Sequence, residues 1–174
     1  MSVRVGDSML ITPTGVSLGN IKPANLVKID LITGKSIGKG KPSKELSLHQ
    51  QAYLTRANIG AIVHLHPPFS VCLSCMLAKK PFSVPAMTSE YARRIGTIPF
   101  IPFALPGTPE LALAVKQVLA HCNCALLAKH GLVAVGTDLV VAMNYAEYIE
   151  ENAQIFILGG DRAQGLTDEE LALL

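Results

Sequence analysis

The stretch "AIVHLHPPFS", residues 61–70, fixes the reading of the whole chain. Its first half is apolar and β-branched, which favours a buried strand. Side chains two apart in a strand leave the same face, so His64 and His66 emerge side by side. Pro67 and Pro68 follow at once and end the strand, because proline cannot donate to the ladder. Two imidazoles at a strand end fit either a metal pair or two neighbouring core histidines.

Working outward, "SVRV" and "MLITP" flank the turn "GDS" and predict a hairpin. "PTGVSLGN" reads as a loop, "NLVKIDL" as a strand and "ITGKSIGKGKP" as a Gly/Lys-rich loop. Ser43 is the expected N-cap of a helix over "KELSLHQQAYLTR". Past the double proline, "PFSVCLSCMLA" predicts a short helix, and "GTIPFIPF" a strand confined by its prolines to an edge or sheet end. Thr108 should cap a helix that has Pro109 at its first position. "CALLA" and "LVAVG" predict two strands around "KHG", and residues 138–158 one long helix ended by Gly159 and Gly160. Thr167 and Glu170 carry the spacing of a capping box. Several strands follow one another without an intervening helix, so the expected fold is a single α/β domain with a mostly antiparallel or mixed sheet.

Composition narrows the function classes. Of the 174 residues, 49% are apolar and 16% charged, a composition that supports a packed core. A net charge of +2 gives no electrostatic footprint for nucleic acid. No apolar run reaches the roughly 18 residues that a membrane span needs. "MSVRVGDSML" has no signal-peptide core after its positive charge, so a cytoplasmic protein is expected. The cysteines fall as Cys72/Cys75 and Cys122/Cys124, a CxxC and a CxC, which do not make two zinc knuckles. They read as small buried hydrophobes in a reducing compartment.

The chemistry concentrates in a few residues. His130 sits in "AKHGLVAVG" between two strands, and with His64 and His66 it makes a three-ligand metal site possible. Glu45 lies in the first turn of the helix after "GKGKPSK", where a carboxylate suits the helix dipole. The same place suits anion binding, with the Ser43 hydroxyl, free backbone N–H groups and Lys41 or Lys44 at hand. "TPTG", residues 12–15, could add donors. His49 shares a face with Glu45 and reads as a surface or core histidine. His121 reads as a helix-end residue favoured by the dipole.

Together "LITPTG", "KPSKELSLHQQAY", "AIVHLHPPFS", "LLAKHGLVAVG" and "AMNYAEYIEENAQ", in that order, resemble the class II aldolase/adducin family of zinc-dependent sugar-phosphate aldolases and their relatives. The resemblance implies a three-layer α/β/α fold with a mainly antiparallel central sheet, and a homotetramer with active sites between subunits. Carried over by position, His64, His66 and His130 are the ligands of Zn2+ or another divalent metal. Glu45 is the catalytic acid/base, able to coordinate the metal when substrate is absent. Thr14, Gly15 and Ser43 fall on phosphate-binding positions, with Lys44 where the family often has a second serine. "PTGVSLGN", "KPSKE", "HLHPPFSVCLSC", "RIGTIPFIPF" and "AEYIEENA" resemble most the branch of 3-oxo-tetronate 4-phosphate decarboxylases, in which Tyr91 and Arg94 fall near the substrate pocket. The family pattern opens with a helix and a glycine-asparagine motif ahead of "SVR". Here the chain starts "MSVR", which implies either a truncated start or weakened phosphate binding, with apolar surface exposed at that edge.

Overall fold

The computed structural model describes residues 1–174. β1 (Ser2–Val5) and β2 (Ser8–Ile11) form the expected hairpin, turning through Gly6 in the left-handed region at φ 59°. β3 (Val27–Asp30) adds to β2 at one edge of the sheet. α1 (Leu46–Thr55) leads to β4 (Ala61–Leu65), and α2 (Pro68–Lys79) follows the double proline. α3 (Ser89–Arg94), β5 (Phe100–Ile101) and α4 (Pro109–Leu119) come next. β6 (Cys124–Leu127), β7 (Gly131–Gly136), α5 (Leu139–Gly159) and α6 (Asp168–Leu171) complete the chain.

The seven strands lie in the order β3-β2-β1-β4-β7-β6-β5. Every pairing is antiparallel except β5 with β6 at the far edge. The sheet has helices on both faces. Ile62 and Val133 pack with Leu48 and Ala52 of α1 and Leu111 and Val115 of α4. Val63 and Leu132 pack on the other face with Leu73 of α2 and Ala142 and Ile149 of α5. β4 and β7 are therefore buried on both sides, which accounts for their unbroken apolar sequences. An apolar groove of about 240 Å³ lies beside the hairpin, bordered by Val3, Leu10, Leu18, Ile21, Leu26 and Leu139.

The caps show how local chemistry sets the ends. Thr108 and Asp138 accept from the N–H groups of Leu111 and Val141, and Thr167 and Glu170 form the expected box. Ser43 is a correction: Glu45, two residues on, occupies the N-cap of α1, and the Ser43 hydroxyl accepts from its N–H at 3.2 Å. The backbone of Ser43 is bound instead to the Thr12 carbonyl at 3.0 Å, beside a bridge between Pro13 and Pro42. The cysteines are a second correction. Only Cys124 is buried; Cys72 and Cys75 are exposed on α2, where they cannot serve as core residues. α3, opened by a Thr88 cap, was not expected from the sequence.

Candidate active site

The three histidines converge because two strand ends meet. His64 is the fourth residue of β4, and His66 lies just past its end, on the α1 side of the sheet with Ile62. Leu65 pairs with Leu132, so the β6–β7 turn lies against this end of β4 and brings His130 to it. The turn is tight: Lys129 has a positive φ of 56°, and the His130 N–H donates to the Leu127 carbonyl at 3.1 Å. Ring centroids are 4.9 Å apart for His64–His66, 4.9 Å for His64–His130 and 4.8 Å for His66–His130. One potential ligand atom from each lies within 4.8 Å of the others.

Gly131 permits this approach. A Cβ there would lie 2.3 Å from the Leu65 carbonyl oxygen and 2.9 Å from Cδ2 of His66. Gly131→Ala must therefore push β7 from β4 and part His130 from His66. We expect a loss of about 1–3 kcal/mol of stability, the usual cost of overpacking, together with weaker metal binding. Urea unfolding and a zinc titration would read the two effects, and unchanged zinc affinity would refute the spacing role of Gly131.

The donor chemistry fits a metal ion. The Leu132 carbonyl, 2.8 Å from His64 Nδ1, can only accept, so Nδ1 carries the hydrogen and Nε2 keeps its lone pair. That Nε2, and Nδ1 of His130, are buried polar atoms without a protein partner. Burial pushes the pKa of His64 down to about 3 against the opposing pull of the Leu132 carbonyl. Burial also lowers His66 and His130. The triad is neutral at pH 7, the form that ligates.

Glu45 stands at the N-terminus of α1 on the same cleft, which measures about 520 Å³. Burial raises its carboxyl pKa, while the Gly107 N–H lowers it by favouring the anion. Its Oε2 is buried with no partner. Thr14, Gly15, Ser43 and Lys44 border the same space. Two adjacent loops hold them there through the Thr14 N–H on the Lys41 carbonyl, 3.1 Å, and the Pro13–Pro42 bridge. Gly15, at φ 74°, gives the first loop its left-handed turn. Backbone amides, hydroxyls and an ammonium group are thus gathered on the cleft that the histidines border, the kind of donor set that suits an anion.

Tyr91 and Arg94 are not brought to this cleft within the protomer. Tyr91 is buried, and burial with the nearby Cys124 raises its phenol pKa. Arg94 pairs with Glu90 at 3.5 Å and borders a separate depression with Tyr145 and Tyr148. His49, by contrast, lines the cleft. The i, i+4 spacing from Glu45 placed both on one helix face but carried no sign of what that face looks onto. Pro106, also at the cleft, left no signal in the sequence.

Comparison with known proteins follows the same lines. Residues 1–157 match the family described as Class II Aldolase and Adducin N-terminal domain. The 3-oxo-tetronate 4-phosphate decarboxylase of Haemophilus influenzae is 37% identical over 174 residues, spanning 98% of this chain and 82% of that protein. The L-fuculose phosphate aldolase of Escherichia coli is 34% identical over 178 residues, spanning 100% of this chain and 80% of that protein. The crystal structure of YgbL from Escherichia coli superposes with a TM-score of 0.89 at 33% identity, over 99% of this chain and 84% of that one.

Proposed function

This chain belongs to the class II aldolase and adducin family, and from that membership we propose that it is a zinc-dependent carbon–carbon lyase that decarboxylates a small phosphorylated keto-acid. The observation that carries the reading is one cleft bordered by three neutral histidines, an acid of raised pKa and the donor groups of Thr14, Gly15, Ser43 and Lys44. Similarity to a 3-oxo-tetronate 4-phosphate decarboxylase supports the choice of reaction. The protein is read as one three-layer α/β/α domain over residues 1–174, cytoplasmic and homotetrameric with active sites at subunit interfaces. No helix is long and apolar enough to cross a membrane. In such a tetramer Arg94, which lies away from its own cleft, is available to a neighbour's.

His64, His66 and His130 would hold the ion, and Glu45 could join them when substrate is absent. Bound zinc supplies Lewis-acid stabilisation of the charge that gathers on the ketone oxygen. The bond to the carboxylate carbon breaks, CO2 leaves, and the electron pair remains as an enediolate. Glu45 delivers a proton to the carbon, giving a product like dihydroxyacetone phosphate. Its raised pKa keeps the acid form available at higher pH than an ordinary glutamate would. Thr14, Gly15, Ser43 and Lys44 bind the remote phosphate and so orient the reacting end.

Similarity to a fuculose-phosphate aldolase across the chain supports a second reading, in which the same enediolate forms by release of an aldehyde. Epimerase and dehydratase chemistry belong to that same alternative. The presence of all three histidines and Glu45 weighs against a non-catalytic, adducin-like interaction module. A panel of phosphorylated sugars and keto-acids assayed for CO2 and for aldehyde separates these readings. CO2 from a keto-acid phosphate is expected, whereas aldehyde without CO2 would establish the aldolase.

A further inference from the structure

His49 is only 1% exposed, yet it borders the same cleft as Glu45 and His64. Its Nδ1 lies 2.7 Å from the Ser2 hydroxyl, which lies 2.9 Å from the Tyr53 hydroxyl. Nε2 has no protein partner, but it is not among the buried unpartnered atoms and so keeps access to the open space. Tyr53 is itself fixed. The Arg4 guanidinium sits 5.1 Å from its ring centroid, donates from Nη2 to the Tyr53 carbonyl at 2.6 Å and from Nε to the Ile59 carbonyl at 2.9 Å.

The protons of this buried chain can be counted. The Ser2 hydroxyl has one proton to give. If it gave that proton to Tyr53, the phenol hydrogen would have no acceptor, because Ser2 is the only group Tyr53 OH reaches. Such an orphan costs about 1–3 kcal/mol. If Tyr53 donates to Ser2 and Ser2 donates to His49, every proton has a partner. Nδ1 of His49 is then an acceptor, and a neutral ring must carry its hydrogen on Nε2.

We propose that Tyr53, Ser2 and His49 form a one-way hydrogen-bond relay that presents the Nε2–H of His49 to an anionic oxygen at the reacting end of the substrate. The identity of that oxygen rests on the lyase reading above; the tautomer does not. Fixed donors aimed at developing charge act where water is excluded, and no reorganisation is needed when the charge appears. His49 is thus a further catalytic residue, and Tyr53 and Ser2 are positioning residues acting through it.

Two measurements test the relay. In the zinc-loaded, 15N-histidine-labelled protein, the ring whose long-range proton–nitrogen correlations are lost in His49→Gln should carry hydrogen on Nε2 and none on Nδ1. Tyr53→Phe, which frees Ser2 to donate or accept, should spread the same ring over both tautomers. A His49 ring with hydrogen on Nδ1 would overturn the relay whatever the enzyme's reaction. In turnover, His49→Leu should lower kcat by about 10²-fold with little change in KM. His49→Gln, which keeps an N–H near the same place, should stay within about tenfold of wild type. Equal losses in both variants at full zinc content would remove the donor role. An Nε2–H tautomer in a protein that releases no CO2 from any keto-acid phosphate would keep the relay and refute the decarboxylase.

Discussion

Glu45→Gln is expected to lower kcat by about 10²–10⁴-fold, the usual share of a positioned proton donor, while zinc content stays at the wild-type level. The substitution preserves volume and the N-cap position. The amide oxygen can still accept from the Gly107 N–H, and the backbone contact with Ser43 is unaffected. What disappears is the transferable proton. The effect is large because few groups could replace it: the carboxyl oxygen Oε2 is buried without a partner, and His64, His66 and His130 are neutral and gathered at the candidate ion site. Metal analysis beside steady-state rates makes the test decisive. A zinc-replete Gln variant at wild-type rate would show that Glu45 moves no proton.

The second large effect is expected at His66. His66→Ala should weaken zinc binding by more than about 100-fold, since loss of even an outer-shell partner costs about 10–100-fold, and turnover should fall with it. Of the three histidines His66 gives the cleanest experiment. It is exposed and lies beyond the last residue of β4, whereas His64 is buried inside the strand and bonded to Leu132. The variant should therefore melt close to wild type when both are metal-free. Zinc titration of the stripped proteins provides the measurement, and equal affinities would exclude His66 as a ligand.

Much of this could be read from residue order, for identifiable reasons. Period-two spacing put His64 and His66 on one face, and the prolines set the point where the strand ends; both are local properties of backbone geometry. Threonine and aspartate caps were equally legible, because each acts within three residues. Ser43 misled as a cap because its backbone is engaged by Thr12, a partner the local sequence does not reveal. α3 was missed because six residues hold too little periodicity to register. Cys72 and Cys75 sit in an apolar stretch, yet the face of α2 they occupy turns outward, since Ser70 and Ser74 take the buried side. Those serines are satisfied by Glu150 and by the Val71 carbonyl. The position of Arg94 away from the cleft, and of His49 in it, depends on packing between distant elements, which no local pattern encodes.

The central pairing of β4 with β7 has a consequence in time. Its contacts join residues distant in the chain, such as His64 and Leu132, separated by 68 positions. Closing a loop of that length costs on the order of 4 kcal/mol of chain entropy, before any ion can be gripped. Contacts of such long range form slowly, and the local hairpin of β1 and β2 and the short helices can assemble ahead of them. During synthesis, His64 and His66 leave the ribosome long before His130. A chain interrupted before the β6–β7 turn has a pair of histidines but no three-sided cradle, so on the proposed reading tight metal capture would mark completed folding.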